Sequence, residues 1–208
     1  MYLSFDEWNA WYQKNLRLED WKEAPPILEE RYSLLDALVF GGLGITLINR
    51  SDRVRISCLA QLVNVIAPIF TEKGGRVIRQ SIYYPFQLLS QYGKGTVLKP
   101  VMTVPETETV YGKTPLINAC VVWDEIQTEV RVFALNIAEE PLCLALDGRS
   151  FGGLRMLGHI CLDGPDLAAA NSFERPNAVR PRNIALSGEN QELQAILPAR
   201  SWNMLRLA

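Results

Sequence analysis

A chain of 208 residues, 48% hydrophobic and 21% charged, has the make-up of an ordinary soluble protein and suffices for one large domain or two small ones. A complete barrel of eight strands and eight helices takes about 250 residues, so a barrel together with a second domain is excluded. The net charge of -2 offers no basic face to nucleic acid and no polybasic anchor to a membrane; neither is expected as a partner, whereas a neutral saccharide is compatible with it.

Leu3 and Phe5 alternate with Ser4 and Asp6, which predicts a strand with Glu7 at its carboxyl end. In a barrel of parallel strands that end faces the active site. Trp8, Trp11 and Tyr12 follow at once, and their flat faces with polar tips suit the C–H face of a sugar ring. The alternative is a plain strand followed by core aromatics, with a solvated Glu7 between them. Asp6 is expected to point away from Glu7, because successive strand residues take opposite faces.

Ala24-Pro25-Pro26 is expected to open a helix, with proline in a tolerated first-turn position. The apolar run over residues 34–48, interrupted by glycines, predicts another. Within it, Gly41-Gly42-Leu43-Gly44 lacks the third glycine of a dinucleotide loop, which falls at Leu47, and no strand immediately precedes it. These glycines are expected to let the helix pack closely on the barrel. Val54, Ile56 and Cys58 alternate as a second strand that ends at Ala60-Gln61, and residues 80–92 predict a closing helix with Pro85 near its start.

The texture changes near Lys94, from alternating helices and strands to short strands separated by turns. They are expected over residues 96–104, 116–123, 129–136, 142–146, 156–162, 191–197 and 202–207. Asp147-Gly148, Gly152-Gly153 and Asp163-Gly164-Pro165 supply turns between several of them. The expected fold class is therefore α/β plus all-β: part of a barrel over residues 1–94 and an antiparallel β-sandwich over residues 95–208.

Cys58, Cys120, Cys143 and Cys161 are scattered through apolar strands with no zinc or redox spacing, and are expected as buried free thiols in a reducing compartment. His159 is the only histidine, which excludes a histidine metal cluster, and it is expected in the core or rim of the sandwich. Asp6 and Glu7 interrupt the apolar stretch a signal peptide would need, so a cytoplasmic location is expected and the Asn49-Arg50-Ser51 sequon carries little weight. No internal repeat and no membrane-length apolar run free of glycine is seen.

Several stretches resemble the C-terminal part of family 51 glycoside hydrolases, the α-L-arabinofuranosidases. They are residues 4–12 (SFDEWNAWY), 24–29 (APPILE), 36–37, 52–68 (DRVRISCLAQLVNVIAP), 83–86 (YYPF), 92–97 (YGKGTV) and 197–207 (LPARSWNMLRL). The resemblance implies the end of a (β/α)8 TIM barrel followed by a jelly-roll-like sandwich. It implies that Glu7 is the nucleophile of a retaining, exo-acting α-L-arabinofuranosidase, that Trp11 lines the sugar pocket and that Gln61 contacts the sugar. Trp8 and Asn9 are further candidates for substrate binding, Asn9 either in direct contact or as a cap of the turn. No metal or organic cofactor is implied. The partner is an arabinofuranosyl-containing saccharide, and homo-oligomers are common in the family. Ala10 departs from the bulkier aliphatic residue usual at its place, and the connection from Tyr12 to Ala24 is short, which bears on the pocket rim. The acid/base carboxyl lies upstream of the matched stretches in the family, so the isolated chain is expected to be inactive. Two alternatives are a non-catalytic carbohydrate-binding or assembly role for the sandwich, in which Trp123 and Trp202 would be the tryptophans available, and a family 51 endoglucanase.

Overall fold

A computed structural model describes residues 1–12, 23, 28–186 and 193–208. The first strand, β1 (Leu3–Trp8), pairs in parallel with β2 (Val54–Leu59), and helix α1 (Leu34–Asn49) lies between them in the chain. Parallel neighbours need such a crossover, because a hairpin cannot bring two strands side by side in the same direction. Ser33 caps α1 in a capping box: its hydroxyl accepts from the Asp36 N–H, and the Asp36 carboxylate accepts from the Ser33 N–H.

After β2 come a small hairpin, β3 (Ile69–Thr71) with β4 (Val77–Arg79), and helix α2 (Tyr83–Tyr92). The sandwich strands follow: β5 (Thr96–Leu98), β6 (Glu106–Thr109), β7 (Gly112–Pro115), β8 (Ile117–Asp124), β9 (Glu129–Asn136) and β10 (Leu142–Leu146). β11 (Met156–Leu162), β12 (Arg182–Asn183), β13 (Leu193–Leu197) and β14 (Ser201–Leu207) complete them. Six form one antiparallel sheet in the order β12-β11-β14-β9-β8-β5, while β10 pairs with β13 and β6 with β7.

The alternation of side chains explains how this sheet is covered on both faces. Cys120, Val122, Phe133, Leu135, Trp202 and Met204 face one way and pack on Leu34, Ala37, Leu38 and Ile45 of α1 and on Tyr84 and Leu88 of α2. Ala119, Val132, Ala134, Leu205 and Leu207 face the other way and pack on Ala195 and Leu197 of β13. A smaller cluster of Tyr32, Phe40 and Ile82 joins Trp8 and Leu59, at the ends of β1 and β2, to the helices. Among the described residues no helix is long and apolar enough to cross a membrane.

The α/β beginning and the all-β remainder match the expected fold class. Several details differ. The expected helix opening at residues 24–27 lies outside the described residues. From Leu28 to Tyr32 the chain is not helical: Leu28 has φ 54°, which a right-handed helix cannot continue through, and the Tyr32 N–H is taken by the Gln80 side chain. β5 stops at Leu98 instead of running to 104, because Pro100 cannot donate to a ladder, and the polar β6–β7 hairpin was not anticipated. Residues 191–192, expected in the penultimate strand, also lie outside the described set. The α1 glycines do permit close packing, but against β14, β9 and the closing helix α2 and not against barrel strands. A Cβ on Gly41 would come within 2.4 Å of the Trp202 ring, and one on Gly44 within 2.4 Å of Leu89 of α2. Cys120 and Cys161 are buried free thiols as expected, and His159 is buried too. Cys58 and Cys143 are free but exposed, because each sits in a two-stranded sheet with an uncovered face.

Candidate active site

Glu7 stands exposed at the carboxyl end of β1, one residue before its last paired position, Trp8↔Leu59. The register slips just before it: Phe5 to Trp8 on β1 faces Ser57 to Leu59 on β2, so an additional residue is accommodated at Asp6 and Glu7. Such bulges re-aim side chains. Strict alternation therefore does not assign the faces of Asp6 and Glu7, contrary to the expectation from sequence. The rings of Phe5 and Trp8 stack, with centroids 6.3 Å apart.

Trp8 and Asn9 are committed to protein contacts. The Trp8 ring lies on Phe40 of α1, with centroids 4.5 Å apart and planes 12° from parallel, and its indole N–H donates to Ser57 Oγ at 2.8 Å. Its place is thus between strand and helix. Asn9 Nδ2 donates to the carbonyl of Ile66, and its Oδ1 accepts from the Ala10 N–H at 2.8 Å. Asn9 thus holds the next backbone N–H and ties the end of β1 to the segment after β2.

Trp11 and Tyr12 are both exposed on the segment that follows. Ahead of Trp11, the Ala10 carbonyl accepts a bond of 3.0 Å from the hydroxyl of fully buried Tyr32. Behind it, the Tyr12 hydroxyl donates to Asp36 Oδ1. Asp36 is itself buried, its Oδ2 accepting from the Ser33 N–H and hydroxyl at 2.7 and 2.8 Å. The bond to Asp36, then burial, pushes the Tyr12 phenol up to about 12. Burial, with Glu30 and Asp36 nearby, raises that of Tyr32 further. Both phenols therefore remain protonated donors across the neutral range.

Gln61 follows the end of β2, next to Trp8, whose carbonyl accepts from the Ala60 N–H at 2.9 Å. Because β1 and β2 are parallel neighbours, Glu7, Trp11 and Gln61 all come from the same end of the two-stranded sheet. Gln61, Asn64 and Ile66 have φ of 61°, 67° and 40°. Non-glycine residues in this region cost on the order of 1–3 kcal/mol each and persist where the surroundings dictate them. Here Asn64 brackets Thr71, its Oδ1 accepting from the Thr71 N–H at 2.7 Å and its Nδ2 donating to Thr71 Oγ1 at 3.0 Å. The buried Gln80 amide donates to the Ala67 carbonyl at 2.8 Å and to that of Glu30 at 3.0 Å, and its oxygen accepts from the Tyr32 N–H at 3.1 Å. One amide thus joins the loop after β2 to the segment holding Tyr32.

Sequence reasoning missed Tyr32, Asp36 and Gln80 as supports of this site. Ser33 and Asp36 carry a legible capping spacing, but nothing in the sequence pairs Asp36 with Tyr12 or Gln80 with groups on two separate segments. Among the described residues no group of three or more His, Cys, Asp or Glu could hold a metal ion.

Comparison with known proteins bears on this arrangement. The family model for the α-L-arabinofuranosidase C-terminal domain matches residues 6–201. The chain belongs to that family. The chain is 42% identical over 209 residues to an intracellular exo-α-(1→5)-L-arabinofuranosidase of Bacillus subtilis, an alignment covering 99% of the chain and 42% of the relative. It is 39% identical to an exo-α-(1→6)-L-arabinofuranosidase of Bifidobacterium longum, with 100% of the chain and 42% of the relative covered. Among solved structures, a family 51 α-L-arabinofuranosidase from Bifidobacterium longum superposes with a TM-score of 0.88 at 37% identity, covering 100% of the chain and 42% of that structure. The chain thus spans about two fifths of the length of these relatives.

Proposed function

We propose that this sequence carries the nucleophile half of a retaining, exo-acting α-L-arabinofuranosidase site, with residues 1–94 as barrel and 95–208 as sandwich. Glu7 attacks the anomeric carbon of a terminal α-L-arabinofuranosyl unit. The glycosidic bond breaks, the leaving oxygen takes a proton from a second carboxyl, and water then hydrolyses the glycosyl ester with net retention. The second carboxyl would come from the portion of the relatives that this sequence does not span. Gln61 holds a sugar hydroxyl and Trp11 walls the ring, while Trp8 and Asn9 hold the strand end in place.

The observation that carries this reading is the exposed Glu7 at the carboxyl end of a strand paired in parallel, with Gln61 delivered by the neighbouring strand at the same edge. The relatives' names favour exo action over an endoglucanase, and they differ in linkage, so the substrate class proposed is a terminal α-L-arabinofuranosyl group of any linkage. The names of the Bacillus subtilis and Acetivibrio thermocellus relatives, both intracellular exo-α-(1→5)-L-arabinofuranosidases, support an intracellular location. A sugar platform on the sandwich finds less support. Trp202 is fully buried, and Trp123 is half-buried with the Phe151 ring 5.2 Å away.

The test joins this sequence to the portion of the Bacillus subtilis relative that it does not cover, and follows nitrophenolate release from 4-nitrophenyl α-L-arabinofuranoside. Glu7→Gly should lower the rate on the order of 10⁴-fold. Azide should restore release, because the small anion attacks the anomeric carbon in place of the carboxylate and gives the β-azide. A Glu7→Gly enzyme as active as the parent would overturn the assignment. The 208-residue chain alone should not turn over natural arabinosides, since a general acid by itself is worth about 10² to 10⁴ in rate.

A further inference from the structure

Trp11 and the anchors on either side of it behave differently. The Trp11 side chain is half exposed. The backbone that carries it is held in front by Tyr32, through the Ala10 carbonyl, and behind by Tyr12, through Asp36. Neither anchor is a loose surface contact. Tyr32 and Asp36 are buried, and Asp36 spends its other oxygen on the cap of α1, a helix packed into the main core. The position of an exposed indole is thus referred, through one phenol, to a helix packed into the main core. An aromatic wall contributes to ring recognition only if it is held in place before the ligand arrives, since ordering it on binding would offset the contact.

We infer that Tyr12, held by Asp36, is a positioning residue for Trp11 and thereby sets how tightly the terminal furanosyl ring is bound. The inference rests on the active-site reading above. Tyr12 itself touches no reacting atom. Its hydroxyl is spent on Asp36, so it acts on the sugar through Trp11. This makes Tyr12 a determinant of binding and not of bond breaking. Its loss should weaken ground state and transition state alike, which appears in KM and not in kcat.

The experiment is a double-mutant cycle in the joined enzyme, with 4-nitrophenyl α-L-arabinofuranoside as substrate. Tyr12→Phe keeps the ring and removes only the donor, leaving the Ser33–Asp36 cap intact. It should raise KM on the order of 5- to 10-fold, with kcat changed less than about two-fold. Trp11→Ala should raise KM at least as much. The double variant should be no worse than Trp11→Ala, because the anchor has nothing left to hold. Two results would overturn the inference: an unchanged KM in Tyr12→Phe, or a full additional rise when Tyr12→Phe is added to Trp11→Ala. A general loss of fold would instead lower the urea midpoint of Tyr12→Phe together with kcat, and that pattern also counts against it. Glu7→Gly with azide is run alongside. If Glu7 proves to be the nucleophile and the cycle is additive, the positioning role fails alone; if Glu7→Gly retains full activity, the active-site reading fails and the role falls with it.

Discussion

The six-stranded sheet and the β1–β2 sheet are both rich in apolar side chains, yet they end in opposite environments. All eight residues of β9 are buried, whereas β1 leaves Leu3 and Phe5 almost half exposed and β2 leaves Ile56 more than half exposed. The difference lies in layers and not in composition. The large sheet has two helices on one face and β10 and β13 on the other. The small one touches the helices through Trp8 and Leu59 while most of its length stays open. Stability is therefore concentrated around β9 and β14, and the candidate chemistry stands at the ends of two strands that contribute little to it.

Truncating a ring in each region is the strongest way to break this comparison. Phe133→Ala, in the buried core under α1, should cost about 3–5 kcal/mol of unfolding free energy by urea titration. Phe5→Ala and Glu7→Gln, both on β1, should each stay within about 0.5 kcal/mol, because neither empties a cavity. Comparable losses at Phe5 and Phe133 would mean that the two sheets are not energetically distinct.

A second, somewhat smaller effect lies at one end of the central strands of the large sheet. Arg131 is buried, bonding Asp124 at 2.7 Å and Glu129 at 3.1 Å, and Arg206 reaches the same Glu129. The Arg206 guanidinium, with Arg131, holds the Glu129 carboxyl below its ordinary range. Removing Arg131 leaves Asp124 without its cation and Glu129 with Arg206 alone, so Arg131→Met should cost about 3 kcal/mol at neutral pH. The sign with pH follows from the lowered folded value: the contribution is complete above the ordinary carboxylate pKa and is lost as pH falls through the lower one. The gap between parent and variant should close on acidification, as read from urea midpoints at several pH values.

The smallest effect is at His159, buried in β11 with Asn203 Oδ1 2.9 Å from its Nε2 and with Asp163 and Arg182 as its charged neighbours. Burial lowers its pKa. Above about pH 6.5 the imidazole is neutral in folded and unfolded chains alike; below that the unfolded chain takes up the proton first, so stability declines toward the lower folded value. Replacing His159 with Gln should flatten the loss of urea midpoint between pH 7 and 5.

The sequence made some of this legible and hid the rest for physical reasons. Strands such as β8, β9 and β14 are apolar runs bounded by turn residues, and their limits came within a residue of expectation. Residues 34–48 read as a helix despite three glycines, but periodicity cannot say what those glycines face, and the answer is Trp202, Leu135 and Leu89. The site's ends were readable because Glu7 and Gln61 close alternating runs. Its supports were not. Tyr12 and Asp36 lie 24 positions apart, and Gln80 bonds groups at positions 30, 32 and 67. Such contacts depend on tertiary placement, which leaves no periodic trace. The register slip at Asp6 and Glu7 belongs with them, since a bulge replaces the alternation from which strand faces are read.

The most direct measurement of the central assignment is to trap the glycosyl-enzyme. The joined enzyme would be incubated with an activated 2-deoxy-2-fluoro-α-L-arabinofuranoside, which slows both steps and lets the covalent ester accumulate. Digestion with trypsin and mass spectrometry would then locate the sugar. The expected result is one fluorinated arabinosyl group on the peptide that ends at Lys14, at Glu7. A sugar bound to any other carboxylate in an enzyme that turns over would contradict Glu7 as the nucleophile.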